Sequence, residues 1–374
     1  MRSTLPDLAA RDVIQLIELG GRSGTPAAGF VAEHVKLPME FHGWRVRGLS
    51  AMVTEIVRHV RRFGAELVVL QSEVWDLMRE LTNRLGSRCK VAAILHAMPF
   101  LTTPVRPTGD FPLDVGDRLR GEQLDYRRSY IEAHHHEFYD VADRMSFIPA
   151  NRTVAYYLDL YLPRPGRPVL DPPVALRMPT RNETAVGRTS AGQAGIRLCY
   201  MARIEPGKGL EHLGPIMDRI AAVLPGAHLS VLGSADDTVS RLHLDELLAA
   251  RQGWTTRGYG WADADLKAEM LGTSDVFLYP SNSDSLSISM LEALAHGVPV
   301  VAWELPFTRL NYRATRAVSL VPFGDVSAFG IAALTAYGNA DSLRNDAVRF
   351  AGKFCNPRAA AASERQAYRM VVAS

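Results

Sequence analysis

Two carboxylates and two cations carry most of the chemistry this sequence offers. Asp284 and Glu292 stand eight residues apart in Asp284-Ser285-Leu286-Ser287-Ile288-Ser289-Met290-Leu291-Glu292, about two turns of a helix at roughly 3.6 residues per turn. That spacing is too wide for a close acid/base dyad and suits a pair that brackets one ligand. A carboxylate accepts on two oxygens, and a sugar diol offers paired O–H donors. Arg203 and Lys208 lie five apart in Arg203-Ile204-Glu205-Pro206-Gly207-Lys208-Gly209. A guanidinium forks onto phosphate oxygens, while an ammonium adds a mobile point charge. The plain alternatives are an Asp N-cap with a solvent-facing Glu, and an exposed basic turn.

Both sets sit where a buried strand runs into a helix. Val276-Phe277-Leu278-Tyr279 is an apolar run that ends at Pro280 and the polar Ser281-Asn282-Ser283. Ile288, Leu291 and Ala295 then keep helical spacing until Gly297 closes the helix, and Val298 to Ala302 reads as the next buried strand. In the same way Arg197 to Ala202 reads as a strand, followed by the cationic turn and a helix bearing Leu213, Ile216 and Ile220. An open α/β sheet binds ligands at the carboxyl ends of its strands. Helix-entry amides, expected here at Ser285, Leu286 and Ser287, can hold a phosphate or a sugar hydroxyl. The Gly-x4-Gly-Lys-Ser/Thr spacing of a Walker loop is absent.

Upstream, a helix over Ser50 to Phe63, a strand over Glu66 to Gln71, a helix over Trp75 to Leu85 and a strand over Lys90 to His96 predict a parallel sheet. His96 falls at a strand's carboxyl end, where a satisfied core histidine is the plain alternative to a site role. The first residues allow two readings: a capped helix starting near Ser3 and Pro6, or a strand from Val13 to Leu19 before Gly20-Gly21. Phe100 to Leu119 is irregular, and Tyr126 to Val141 reads as a helix carrying Glu132, His134, His135, His136 and Glu137. The chain offers that histidine group no matching ligand cluster, so metal is not expected there. Asp263-Ala264-Asp265 precedes a helix from Leu266 to Leu271 and reads as an N-cap with dipole complementarity. Asp275, at the end of that helix, reads as another surface acid. No metal and no other cofactor is expected.

A chain of 374 residues accommodates two domains with separate cores. The linker-like stretch is Arg181 to Gln193, polar and without periodicity. This places domains at 1–180 and 195–355, a linker at 181–194 and a last helical segment at 356–374. An apolar content of 47% with 22% charged residues describes an ordinary globular chain, and a net charge of +2 gives no case for nucleic acid. Cys89, Cys199 and Cys355 lack ligand-like spacing and suggest a reducing compartment. No apolar run approaches the ~20 residues of a membrane span. A cytoplasmic protein without a transmembrane segment is expected.

Asp284-x7-Glu292 followed by Ala293-Leu294-Ala295-His296-Gly297-Val298-Pro299-Val300-Val301-Ala302, with the Arg203/Lys208 turn about 80 residues earlier, resembles the C-terminal domain of retaining GT-B glycosyltransferases of family GT4. The resemblance covers Ile196 to Leu334 well, Glu66 to Leu160 less closely and the first forty residues poorly. It implies an α/β GT-B architecture, two Rossmann-like domains facing each other across a cleft, with the last helix crossing back to the first domain. It also implies roles: Asp284 and His96 on the donor sugar, Arg203 and Lys208 with the amides of Ser285, Leu286 and Ser287 on the diphosphate, and Glu292 on the ribose. Arg257, Tyr259 and Gly260 would lie near the base.

The implied reaction is retaining, metal-independent transfer of a hexose-type sugar from a nucleotide-diphosphate sugar, with UDP the first choice, to a hydroxyl. The acceptor would be a small molecule, a lipid or a glycan. Three departures are present: Asp284 where Glu is usual, Leu286-Ser287 where Phe-Gly is common, and Trp303-Glu304-Leu305-Pro306-Phe307 where a Gly-Gly-x-Pro-Glu loop is usual. They keep two rivals in view. One is a degenerate GT-B protein that binds a nucleotide sugar or a partner without turnover, and the other is an epimerase or phosphorylase of the same fold.

Overall fold

The computed structural model describes residues 15–19, 33–37, 41–42, 45–71, 74–86, 89–96, 138–163, 165–172, 195–205, 207–249 and 252–374. They divide into two compact units, one holding the described residues up to His96 together with 138–172 and 356–374, the other holding 195–355. The irregular stretch Phe100 to Leu119, the histidines His134 to His136 and the linker Arg181 to Gln193 lie outside the described residues.

In the first unit, β1 (Gln15–Leu19) pairs in parallel with β2 (Glu33–Leu37). Of the two readings of the N-terminus, the strand therefore holds for these residues; Ser3 and Pro6 are not among those described. A short antiparallel pair, β3 (Phe41–His42) and β4 (Arg45–Val46), leads into α1 (Leu49–Phe63). Next come β5 (Leu67–Leu70), α2 (Trp75–Leu85), β6 (Lys90–Leu95), β7 (Ser146–Pro149) and α3 (Arg152–Tyr161). Strands β5, β6 and β7 form a parallel sheet in that order.

Successive residues of a strand point to opposite faces, and β6 shows the consequence. Val91, Ala93 and Leu95 join the core that holds Met52, Val53, Ile56 and Val60 of α1 and Trp75, Met78 and Leu81 of α2. Ala92 and Ile94 face the other way, into a cluster with Ile148 and with Ala367 and Val371 of the C-terminal helix Pro357–Ala373. Asn151 caps α3, its side-chain oxygen accepting from the amides of Thr153 at 3.0 Å and Val154 at 3.1 Å.

The second unit alternates strand and helix up to its last two helices: β8 (Arg197–Met201), α4 (Leu210–Val223), β9 (Ala227–Leu232), α5 (Thr238–Leu248), β10 (Trp254–Gly258), α6 (Ala264–Thr273) and β11 (Val276–Tyr279). It continues with α7 (Ile288–Ala295), β12 (Val300–Trp303), α8 (Pro306–Tyr312), β13 (Val318–Val321), α9 (Val326–Gly338) and α10 (Ala340–Gly352). The strands form one parallel sheet in the order β10-β9-β8-β11-β12-β13. Leu198 and Tyr200 of β8 share a core with Leu213, Ile216 and Ile220 of α4 and Phe329 and Ala333 of α9. Cys199 between them is also fully buried, as expected of a strand covered on both faces. The helix Pro357–Ala373, labelled α11, belongs to the first unit.

Two details depart from expectation. Asp275 is buried rather than a surface acid: Arg197 reaches its carboxylate at 2.9 Å, and the Arg197 amide donates to it at 2.9 Å. Burial is tolerated because charge and hydrogen bonds are both compensated. After Trp303 the chain forms α8, a proline-started helix, in place of the loop expected by resemblance. Among the described residues, no helix is long and apolar enough to cross a membrane.

Candidate functional site

The strand order of the second unit reverses between β8 and β11, since the chain builds outward from β8 to β10 and then restarts at β11 on the other side. Ligands of open α/β sheets bind at such a switch point, beyond the carboxyl ends of the strands. The loop after β8 carries Arg203 to Gly209, and the loop after β11 carries Pro280 to Ser287. They touch. Gly209 starts α4 with φ +77, and a Cβ there would fall 1.8 Å from the Pro280 carbonyl oxygen. Glycine is required on both counts. The Asn282 amide donates to the Gly207 carbonyl at 2.8 Å, and the Ser281 hydroxyl to the same oxygen at 3.1 Å. Trp303, fully buried, donates its indole N–H to the Pro280 carbonyl at 2.9 Å.

Across this junction Lys208 Nζ lies 3.3 Å from Asp284 Oδ2 and 3.4 Å from the Ser283 carbonyl, with each of the two charged side chains only 17% exposed. Cation and acid from the two separate sequence signals thus form one pair.

Three tyrosines support it from below. Tyr200 donates to the Lys208 carbonyl at 3.0 Å, Tyr279 to Asp284 Oδ2 at 2.5 Å and Tyr312 to the Ser287 carbonyl at 2.6 Å. All three are buried. Burial pushes each phenol well above its ordinary value, reinforced by the charge of Glu211 at Tyr200 and of Asp284 at Tyr279 and Tyr312. Each hydroxyl is therefore a fixed donor at any working pH. In sequence Tyr200 and Tyr279 read simply as residues of buried strands. The signal that they do more is general: a buried phenol finds a hydrogen-bond partner.

The helix after Asp284 begins later than expected. Ser287 is its N-cap, with Oγ accepting from the Met290 amide at 3.2 Å. The Ser285 amide turns back to Asp284 Oδ1 at 2.8 Å. The amides without an intrahelical acceptor are then those of Ser287, Ile288 and Ser289, rather than the Ser285, Leu286 and Ser287 set. Glu292 is on the second turn of α7, and Lys267 of α6 holds its carboxylate at 3.3 and 3.5 Å. Nothing in the sequence singled Lys267 out, because its partner is 25 residues away on another helix.

Of the other candidates in the second unit, none is hydrogen-bonded or ion-paired to Lys208 or Asp284. Arg203 projects into solvent, 71% exposed, with its guanidinium 3.2 Å from Glu205. Arg257 lies over the Tyr259 ring at 5.0 Å at the end of edge strand β10, and the Gly260 carbonyl accepts from the Gly233 amide at 2.8 Å. His96 follows β6 in the first unit. Asp263 is the N-cap of α6, its Oδ1 accepting from the Leu266 amide at 2.9 Å. Among the described residues no three His, Cys, Asp or Glu side chains gather as a metal site.

Residues 195–339 match the family model of glycosyl transferases group 1. The match spans most of the second unit, 195–355. Over 146 residues the chain is 30% identical to a phosphatidyl-myo-inositol mannosyltransferase of Mycobacterium leprae, a match covering 39% of this chain and 36% of that protein. The chain thus matches only about a third of this curated relative's length. Among solved structures it is similar to the sucrose-phosphate synthase of Thermosynechococcus elongatus, with TM-score 0.71 and 16% identity over 100% of this chain and 92% of that one. It is likewise similar to Anabaena HepE, solved in complex with UDP and glucose, with TM-score 0.65 and 13% identity over 98% and 94%. The fold is GT-B, as the resemblance implied. Lys208 and Asp284 meet at the switch point of the second unit, within the matched residues.

Proposed function

We propose that this protein is a retaining, metal-independent glycosyltransferase that moves a hexose-type sugar from a nucleotide-diphosphate sugar, with UDP as the nucleotide, to a hydroxyl of a small-molecule, lipid or glycan acceptor. The observation that carries this is the Lys208–Asp284 pair, which joins the loops after β8 and β11 at the switch point of a group 1 domain. In this reading Lys208 and the amides of Ser287, Ile288 and Ser289 neutralise a diphosphate leaving group as its charge develops. Arg203 is exposed and can swing, and a phosphate is a better partner for its fork than the half-buried Glu205. Glu292 takes the ribose diol, Asp284 the sugar, and Arg257 to Gly260 the base.

Retention at the anomeric carbon, and the part of His96, rest on the family resemblance; UDP rests on that resemblance and on the HepE complex. A cytoplasmic setting is supported by three free thiols, two of them buried.

The test is incubation of the whole chain with UDP-, GDP- and ADP-sugars, scored for donor hydrolysis and for transfer to an acceptor extract. Turnover that depends on Lys208, with Lys208→Met losing about a hundred-fold, supports the reading. A nucleotide that raises the melting temperature while no donor is ever consumed supports a non-catalytic binder instead. For His96→Ala we expect turnover to fall at least ten-fold, a typical loss for a group acting at the reacting centre, while titrated nucleotide affinity is kept.

A further inference from the structure

Tyr279 is the last residue of β11 and is almost wholly buried. Its ring stacks on Phe277, two residues back on the same face, at 6.2 Å and 18°, and meets Phe307 of α8 edge-on at 6.2 Å and 81°. Aromatic packing of this kind fixes where the hydroxyl stands. It donates to Asp284 Oδ2 at 2.5 Å, in the range of charge-assisted O–H···O⁻ bonds. The same oxygen takes the Lys208 ammonium at 3.3 Å, and Oδ1 takes the Ser285 amide at 2.8 Å. An ionised carboxylate has about four lone-pair sites, and these three donors occupy three of them. Among the described residues no fourth donor reaches Asp284, which leaves one lone pair, on Oδ1.

We propose that Tyr279 is a positioning residue of the donor site, whose hydroxyl holds Asp284 so that Oδ2 faces Lys208 and the remaining lone pair of Oδ1 receives a single hydroxyl of the transferred sugar. This rests on the donor-site reading above and sharpens it. Asp284 is then a one-hydroxyl reader, not the bidentate diol acceptor that its residue type alone suggests. Deleting the phenol releases Oδ2 from one of its two anchors. The carboxylate can then rotate towards the ammonium, and the sugar loses its acceptor while the diphosphate still meets Lys208. Phe277 and Phe307 would pack against phenylalanine as they do against tyrosine, so the change removes a hydrogen bond and little else.

The test is calorimetric titration of the full chain with UDP-glucose and UDP, and in parallel with GDP-mannose and GDP. Wild type, Tyr279→Phe, Asp284→Asn and the double variant are compared, with a melting curve for each. The readout is the ratio of Kd for the bare nucleotide to Kd for its sugar form. Tyr279→Phe is expected to lower that ratio about ten-fold, the size of one hydrogen bond to a charged group, and to change the bare-nucleotide Kd less than about three-fold. The double variant is expected to match Asp284→Asn, because Tyr279 acts only through that carboxylate. Equal weakening of both ligands, or losses that add in the double variant, would overturn the proposal and leave Tyr279 a packing residue. If Asp284→Asn itself keeps the wild-type ratio, or neither ligand pair binds wild type, the donor-site reading fails first and the positioning role goes with it.

Discussion

Lys208 and Asp284 neutralise each other at 3.3 Å with little exposure to water, so removing one leaves the other charged and poorly solvated. Asp284→Ala should destabilise the second unit by about 2 kcal/mol, below the range for fully buried pairs because some water reaches both groups; chemical denaturation measures it. Lys267 offers a separate prediction. If Glu292 accepts the ribose hydroxyls, Lys267→Met should narrow the preference for UDP over 2′,3′-dideoxy-UDP by about five-fold and leave dideoxy binding unchanged. Titration of both nucleotides reads this directly, and equal losses on the two would assign Lys267 to packing. The lysine and both acids were legible in the sequence because each lies at a recognisable place in a strand–loop–helix unit. Tyr279, Lys267 and the true character of Asp275 were not, since each depends on a partner brought close only by the fold: Asp275 on Arg197, 78 residues before it.

At the scale of elements, the strand–helix alternation could be read wherever apolar residues kept a clean period. β11 falls on Val276–Tyr279 as its pattern predicts, and α7 (Ile288–Ala295) carries the apolar positions Ile288, Leu291 and Ala295 although it starts later than expected. Less regular segments escaped. α5 buries only Ser240 and Leu247, α10 is largely polar, and α8 is seven residues long, so none presents a broad apolar stripe. The loop contact at Gly209 gives the sharpest prediction at this scale. Gly209→Ala must adopt a positive φ, costing about 1–2 kcal/mol, and must also push back the Pro280 carbonyl. We expect a lowered denaturation midpoint together with at least ten-fold weaker nucleotide binding, since Lys208 and Asp284 are carried by the two loops forced apart.

For the molecule as a whole, the last helix is the informative element. α11 belongs to the first unit, where Ala367 and Val371 meet Ala92, Ile94 and Ile148. A charge placed there should unfold the first unit and spare the second: Val371→Asp is expected to cost about 3 kcal/mol by burying an unpaired carboxylate. A melting curve should then show an earlier transition that UDP does not shift, followed by one that it does. A plan of two α/β units was legible because two strand–helix series flank a polar, aperiodic stretch, whereas the GT-B assignment came from the resemblance of the Asp284-x7-Glu292 and Arg203/Lys208 motifs. The start of the chain was ambiguous because Val13 to Leu19 supports more than one period.

In the proposed donor site the loops after β8 and β11 together hold one pyrophosphate. A crystal structure of the protein grown with UDP, or with GDP or ADP if titration shows it to bind more tightly, tests this most directly. The diphosphate is expected against Lys208 and the amides of Ser287 to Ser289, with the ribose on Glu292. A diphosphate bound elsewhere on the second unit, with Lys208 still paired to Asp284 and no phosphate oxygen near it, would contradict the account.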